Sequence, residues 1–376
     1  MKKVFIITGD YSGDIHASKV VNSLKNFSPD IQIEGVGGEN LKNAGVKLLF
    51  DQSKMGAVGL SPAIIYNHIL MGKKIVDYLK NDYKPDLVLL IDYGAFNLKI
   101  AKYLKNSGIK IFYYIPPQVW ASRKWRLNTI KKYVDKVLCI FPFEKEMYES
   151  LGIPTHYCGH PLVSQLLPKT NRDEFFEKHG FDKTKKLVSI FPGSRKFELK
   201  YLAELYIKSA KELQKRHPDL QFCISHAPNL SDEVYDKYVN GTDFKVIRGE
   251  NQALLSVSDV LILASGTVAL EAALYGTPMI IGYRGPVLFY WIYLLVRCIK
   301  MVSLPNIING KIIVPELLEH GLTKSSVVYN TERLLYDKQA REEQIKGLSG
   351  VRKLLSDKVS SDEAARAIVE ELSRQE

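Results

Sequence analysis

Cysteine is scarce in this 376-residue chain, and each one stands alone. Cys139, Cys158, Cys223 and Cys298 lie far apart, with no two at metal-ligand spacing. That pattern argues against a metal cluster and against a secreted disulfide framework, and it fits a reducing cytosol. A membrane-spanning run is missing as well. The most apolar stretch, residues 286–300, falls short of the roughly 18 residues needed to cross a bilayer. The first ten residues have a basic start but too few apolar residues for a signal peptide, and read better as a first strand. The turn Gly9-Asp10-Tyr11-Ser12-Gly13-Asp14 is not G-x-G-x-x-G, so a dinucleotide fingerprint is unsupported. Zinc-finger spacing and an RNA-binding aromatic signature are absent too, which lowers any nucleic-acid reading. The net charge of +11 then favours phosphorylated substrates or an anionic membrane surface. The plainer alternative is that many lysines only solvate helix faces.

What is present is a long alternation of short apolar runs and helical patterns. The length exceeds what one core sustains, so two domains are expected. Strand-like runs fall at 4–8, 31–36, 87–91, 109–115 and 137–140, with helical stretches at 15–27, 62–81 and 98–107 between them. A polar segment at 164–173, holding Pro168, makes a hinge. The alternation then resumes, with strands at 187–191, 220–225, 245–247 and 260–263, helices at 198–216 and 232–239, and a charged helical end from 324. The expected fold is α/β, with two Rossmann-like domains facing a cleft. Its parts are an N-terminal domain over 1–165, a C-terminal domain over 173–350, and a last helix over 351–376 that packs back or is exchanged in a dimer. Ligands in such sheets sit beyond the carboxyl ends of the strands.

The richest stretch runs from Ile262 through Ser265-Gly266-Thr267 to Glu271, Gly276 and Gly282-Tyr283-Arg284. It reads as strand, turn, helix, stop and strand, with Thr267 at the N-cap and the helix ending at Gly276. Backbone amides at such a helix start suit a phosphate, and Glu271, one turn inside, suits sugar hydroxyls. A second turn of this kind is Phe191-Pro192-Gly193-Ser194-Arg195, with Glu198 one turn on. Gly193 permits close approach, and Arg195 offers a fork matched to phosphate oxygens. A cation at the positive end of a helix makes better sense with an anion beside it.

In the first half, Asp92 ends an apolar run. It reads equally as a partly desolvated general base and as an aspartate that only fixes its own turn. Asp14 reads as a helix cap, and Asp10 at the strand tip has the better claim to touch substrate. Asn97 and Gln118 are candidate hydroxyl partners, and His160 reads as structural first. Residues 286–300 fit either a buried core helix or an interfacial one, and the basic total charge favours a lipid-facing surface. The loops Ser303-Leu304-Pro305-Asn306 and Val314-Pro315-Glu316-Leu317 are placed to close over a nucleotide.

These elements, in this order, resemble the lipid-A-disaccharide synthase family over nearly the whole chain. They include Ser12-Gly13-Asp14, Gly35-Val36-Gly37-Gly38, Asp92 with Phe96-Asn97, residues 116–120, Pro142-Phe143-Glu144-Lys145 and Gly159-His160. The series continues with residues 192–195, 264–271, 282–284 and 303–306. The resemblance implies a GT-B glycosyltransferase that moves 2,3-diacylglucosamine from UDP to the 6-hydroxyl of 2,3-diacylglucosamine 1-phosphate. It implies inversion at the anomeric carbon, a β(1→6) product in lipid A biosynthesis, no metal or other cofactor, and peripheral association with the inner face of the inner membrane. A homodimer with exchanged C-terminal parts is implied for some members. By the same resemblance Asp92 matches the base. Arg195, Glu198 and Asn306 match positions tied to donor binding or activity, with Gly193, Ser194, Ser265, Gly266, Thr267, Glu271, Tyr283 and Glu316 around them. Asp10, Ser12, Asn97 and Gln118 fall on the acceptor or sugar side. Two departures stand out: Asp10 replaces the family's usual glutamate, and Ala95 stands where a second acid often occurs.

Two rivals are weighed against this. A UDP-GlcNAc 2-epimerase would keep the fold and change the chemistry, but needs no apolar acceptor surface. A non-catalytic lipid- or nucleic-acid-binding protein on the same scaffold would not need Asp92 and Arg195.

Overall fold

Near-continuous runs of β-branched and leucine side chains become strands buried on both faces, which is the environment of a parallel sheet. In the computed structural model, which describes residues 1–52, 62–286 and 300–374, these runs build two compact units. One comprises residues 1–164 and 356–376, the other residues 165–355.

The first unit holds seven parallel strands: β1 (Lys3–Ile7), β2 (Gln32–Gly37), β3 (Lys47–Asp51), β4 (Leu87–Ile91), β5 (Lys110–Tyr114), β6 (Lys136–Cys139) and β7 (Thr155–Tyr157). Their order is β3-β2-β1-β4-β5-β6-β7. All five side chains of β4 are fully buried, and each contributes roughly 1.5–3 kcal/mol relative to exposure. The chain runs outward from β1 through β2 to β3, then returns to place β4 on the other side of β1, with Val4 opposite Leu87 and Ile7 opposite Leu90. The pair β1/β4 is therefore the switch point, where helices leave to opposite faces and a crevice opens at the carboxyl ends.

The second unit repeats the plan with β8 (Lys186–Phe191), β9 (Leu220–His226), β10 (Lys245–Arg248), β11 (Val260–Ala264), β12 (Met279–Tyr283) and β13 (Glu316–Leu318). Their order is β10-β9-β8-β11-β12-β13, and the switch point is β8/β11, with Leu263 opposite Phe191.

The last helix, Ser360–Ser373, packs on the helix Tyr11–Phe27 within the first unit. Asp362 Oδ1 accepts from Ser23 Oγ at 2.7 Å, Tyr114 Oη and Ser360 Oγ share a hydrogen bond of 2.7 Å, and Arg366 lies 4.8 Å over the Phe27 ring. Several elements escaped the sequence reading: β3, β7 and the helices Arg126–Tyr133, Pro142–Glu149, Arg172–His179 and Asn251–Val257. The polar segment at 164–173, read as a hinge, runs into the helix Arg172–His179, which Asn171 caps through the amides of Asp173 and Glu174. The apolar run at 287–296, read as core or lipid-facing, lies outside the described residues.

Candidate functional site

At the β1/β4 switch point the turn after β4 is held in an unusual backbone. Asp92 and Tyr93 are both left-handed, with φ of 48° and 49°, a conformation that costs about 1–3 kcal/mol for each such residue. Two buried side chains fix it from beneath. Tyr113 Oη donates to the Asp92 carbonyl at 2.6 Å, and Asn97 Nδ2 donates to the same carbonyl at 2.9 Å and to Ile91 O at 3.1 Å. The Asp92 carboxylate accepts the Tyr93 amide through Oδ1 at 2.8 Å, so it does fix its own turn while Oδ2 stays clear of that bond. Burial, with the charge of Asp10 behind it, pushes the Asp92 carboxyl above the usual aspartate range, and the Tyr93 amide draws it partly back.

The neighbouring turns revise several expected roles. Asp10, not Asp14, caps the helix Tyr11–Phe27, accepting the Gly13 amide at 2.7 Å. Asp14 is fully buried and caps a different helix, Glu39–Asn43, accepting from the amides of Gly38 at 2.7 Å and Asn40 at 2.9 Å. The reason is reach: Asp14 sits inside the first turn of its own helix, where those amides already face Asp10. Asn97 is fully buried with its amide on backbone carbonyls, so it supports the Asp92 turn from below. Ser12 and Gln118 are exposed at the strand tips.

Glu144 was not singled out from its residues. It is buried beyond β6 and accepts Trp120 Nε1 at 2.9 Å and the amides of Ile140 and Phe141 at 3.3 and 3.2 Å. It thereby ties down the loop after β5. Burial pushes its carboxyl up to about 7, against those three N–H donors. His160 is the structural histidine expected: its Nδ1 accepts the Leu162 amide, and burial pushes it down to about 3, so it stays neutral.

Beside the Asp92 turn, a cavity of about 870 Å³ opens between the helices Pro62–Tyr78 and Gly94–Leu104. Ile69, Val76, Phe96 and Ile100 line it, with Lys73 and Lys99 among its polar groups.

The second switch point gathers the other predicted loops. Glu198 is buried in the first turn of the helix Lys196–Arg216, where its Oε2 accepts the amides of Ser194 at 2.8 Å and Arg195 at 3.2 Å. Its Oε1 accepts Arg195 Nη1 at 2.9 Å. Gly193 has φ of 117°, and a Cβ there would come within 2.4 Å of Glu198 Oε2, so only glycine lets the loop fold over this carboxylate. Arg195 keeps most of its side chain exposed.

On β11, the helix Thr267–Tyr275 opens at Gly266 rather than at Thr267, in extended backbone with no side-chain cap. Without a capping oxygen, the first amides of the helix remain uncovered at its positive end. Gly276, at φ 76°, closes the helix as expected. Ser265 and Thr267 are partly or fully open. Glu271 makes no hydrogen bond or ion pair among the described residues, and burial pushes its carboxyl above the usual range. Tyr283 is 38% exposed and lies within electrostatic reach of Glu198 and Arg195.

Asn306 and Glu316 are placed differently. Asn306 is fully buried: its Nδ2 donates to Val314 O and Glu316 Oε1, and its Oδ1 accepts from the amides of Ile313 and Val314. Both amide hydrogens and both lone pairs are used. Glu316 accepts from the amides of Val302 and Ser303 and from Ser303 Oγ. Together they knit the 303–316 loop. Among the described residues, no group of three or more His, Cys, Asp or Glu side chains is arranged to hold a metal.

Comparison with known proteins extends the picture. The family described as Lipid-A-disaccharide synthetase matches residues 4–369. Lipid-A-disaccharide synthase of Geobacter metallireducens is 34% identical over 380 residues, covering 99% of this chain and 98% of that protein. Lipid-A-disaccharide synthase 1 of Legionella pneumophila is 36% identical over 323 residues, covering 85% and 84%. Among solved structures, UDP-GlcNAc 2-epimerase from Neisseria meningitidis bound to UDP-GlcNAc superposes with a TM-score of 0.59 at 14% identity, covering 99% of this chain and 100% of that one. The Methanocaldococcus jannaschii UDP-GlcNAc 2-epimerase, in complex with UDP-GlcNAc and UDP, gives 0.59 at 15% identity, covering 98% and 99%. At such identities the likeness concerns the fold, and it bears out two Rossmann-like units of GT-B type.

Proposed function

Because the chain belongs to the lipid-A-disaccharide synthase family, and is thereby a glycosyltransferase of lipid A biosynthesis, we propose the following reaction for its two switch points. The donor is UDP-2,3-diacylglucosamine and the acceptor is 2,3-diacylglucosamine 1-phosphate. Asp92 takes the proton of the acceptor's 6-hydroxyl as that oxygen attacks the anomeric carbon of the donor. The bond from this carbon to the diphosphate breaks on the opposite face. The configuration inverts, and the products are the β(1→6) tetraacyl disaccharide 1-phosphate and UDP.

The observation that carries the base assignment is the Asp92 turn: a strained, desolvated carboxylate, raised toward the range where a base is effective. Asp10, Ser12 and Gln118 are assigned to the acceptor side. On the donor side, the leaving diphosphate gains negative charge as the bond breaks. Arg195 and the uncovered amides at residues 265–267 neutralise it, with Gly193 and Ser194 supplying the close-approaching backbone. Glu271 receives sugar hydroxyls, and Tyr283 flanks the phosphate loop. Glu198, Asn306 and Glu316 act by holding these loops in place. This division assigns the charge neutralisation to Arg195 and the helix-start amides, so transfer is expected to proceed without a divalent ion.

Among the described residues no helix is long and apolar enough to cross a membrane. The assigned location is peripheral, on the inner face of the inner membrane. The cavity beside Asp92 offers room for an acyl chain, and Tyr66, Ile69 and Leu70 are exposed on the helix that lines it. Lysines around them suit anionic lipid. The test is incubation with UDP-2,3-diacylglucosamine and the phosphorylated acceptor, with and without chelator, followed by mass analysis. A tetraacyl disaccharide 1-phosphate formed equally in both arms is expected. Epimerised nucleotide sugar in place of disaccharide would overturn the reading, and chelator-sensitive transfer would overturn its metal independence.

A further inference from the structure

Two arginines beside the Asp92 turn have no counter-charge among the described residues. Arg126 begins the helix Arg126–Tyr133, whose first turn contains no acidic residue. Its amide donates to Arg123 O at 3.0 Å, so the two residues share one tight turn, with Arg123 in the left-handed region at φ 57°. The Arg126 guanidinium lies against the backbone that follows Asp92. A Cβ at Gly94 would sit 3.1 Å from Arg126 Nη1 and 2.9 Å from Pro117 Cβ, so any side chain at 94 would crowd the guanidinium. Tyr113, whose hydroxyl holds the Asp92 carbonyl, is within its electrostatic reach. Burial and the like charge of Arg123 both push the Arg126 guanidinium down.

Neither arginine forms an ion pair among the described residues. The contrast with Arg195, which Glu198 engages at 2.9 Å, is instructive. Two like charges on one turn repel each other, and both lie at the positive end of a helix, where the dipole opposes them as well. An anion would relieve all three terms at once.

We propose that Arg123 and Arg126 bind the phosphomonoester of the acceptor sugar and so select the phosphorylated acceptor; this rests on the transferase reading above. A sugar phosphate carries nearly two negative charges at neutral pH, and two planar guanidinium forks match its oxygens. The phosphate on C1 and the 6-hydroxyl are separated by one pyranose ring. Gripping the first beside the Asp92 turn presents the second to the Asp92 carboxylate. An acceptor without the phosphate leaves the two like charges unpaired, which is the basis of the selection.

The test compares the full-length protein with Arg123→Gln and Arg126→Gln on the phosphorylated acceptor and on 2,3-diacylglucosamine lacking the phosphate. Each variant is expected to lose about ten- to a hundredfold in kcat/KM on the phosphorylated acceptor, the loss of charge-assisted bonds. Activity on the unphosphorylated acceptor and the melting temperature should stay near wild type, and Arg126→Lys should recover part of the loss. Equal loss on both acceptors, or no loss on either, overturns the proposal.

Calorimetric titration with glucosamine 1-phosphate forms a second arm, with binding expected in the wild type and reduced in both glutamine variants. If the wild type transfers to neither acceptor, the transferase reading fails and this arm alone decides the arginines. Vesicles containing phosphatidylglycerol separate the other source of phosphate. Variants that lose vesicle binding while keeping the wild-type acceptor ratio would make the pair a lipid headgroup grip and overturn the selection.

Discussion

Replacing Glu198 by alanine tests the proposed donor loop most directly. The carboxylate accepts three N–H donors: the amides of Ser194 and Arg195 and the Arg195 guanidinium. The ion pair itself contributes little, about 0–1 kcal/mol, because most of the Arg195 side chain is in water. The two amide bonds to a buried charge matter more, about 1.5–3 kcal/mol each, and part of that holds the 193–195 loop in the shape proposed to receive the diphosphate. With Glu198→Ala the loop 193–195 loses its anchor. A weakening of UDP binding by about 2–3 kcal/mol follows, or roughly 30- to 150-fold in Kd. Glu198→Gln keeps one oxygen for the two amides and gives up mainly the exposed ion pair, so a loss of only a few-fold is expected. Isothermal calorimetry with UDP on the three proteins reads the order directly. Wild-type UDP affinity in Glu198→Ala would refute the reasoning, since the loop would then owe its shape or its ligand to something else. Gly193→Ala should mimic the alanine variant, because its Cβ would collide with the same carboxylate.

Asp92→Asn should lower transfer by about 10²–10⁴-fold, the range of a lost general base, with UDP affinity within a few-fold of wild type; near-normal turnover would remove Asp92 from the chemistry. The proposed base acts only when ionised, and burial with the Asp10 charge holds the Asp92 carboxyl above the ordinary value, so the acidic limb of kcat/KM should lie above the ordinary aspartate range. Asp10→Asn keeps the helix cap and removes the charge, which should move that limb to lower pH; a limb that moves upward would refute the coupling. The same shift bears on stability: between the ordinary value and the raised folded one, the folded state holds a proton that the unfolded state has lost, so the Asp92 contribution falls as pH rises through that window. Asn306→Ala strands the buried amides of Ile313 and Val314, at about 1–3 kcal/mol per unpaired group. The melting temperature should therefore drop by several degrees; an unchanged melting temperature with weaker UDP binding would instead make Asn306 a direct ligand contact.

What could be read from the residues, and what could not, follows from where the determining contacts lie. Central strands such as Leu87–Ile91 are buried on both faces, so they appear as unbroken apolar runs. The edge strand Lys47–Asp51 is only half buried, and its mixed pattern hides it. The turns at 9–14, 92–97, 192–195 and 265–267 were legible because glycine and short polar residues after an apolar run report local geometry. Individual tasks within those turns were less so. Asp14 reaches Gly38, and Asn306 answers to Glu316. Such partners are chosen by tertiary folding, and nothing in the local spacing announces them. Glu144 behaves likewise: its hold on Trp120 depends on the loops of β5 and β6 meeting.

The two sheets use one topological position for opposite electrostatic ends. Both open a crevice where the strand order reverses, at β1/β4 and at β8/β11. At the first, two aspartates stand on adjacent strand tips, and burial, with their mutual repulsion behind it, raises Asp92. Like charges at a switch point impair anion binding, yet they suit the proton acceptor proposed for Asp92. At the second, a mostly exposed arginine and an uncapped helix start occupy the same station, which suits the diphosphate seat proposed there. The transfer proposed above removes a proton from one sugar while an anionic leaving group departs from the other, and the two switch points carry the opposite charges those two events call for. One topology thus serves two electrostatic ends, and what each switch point suits follows from the sign of charge its strand tips carry.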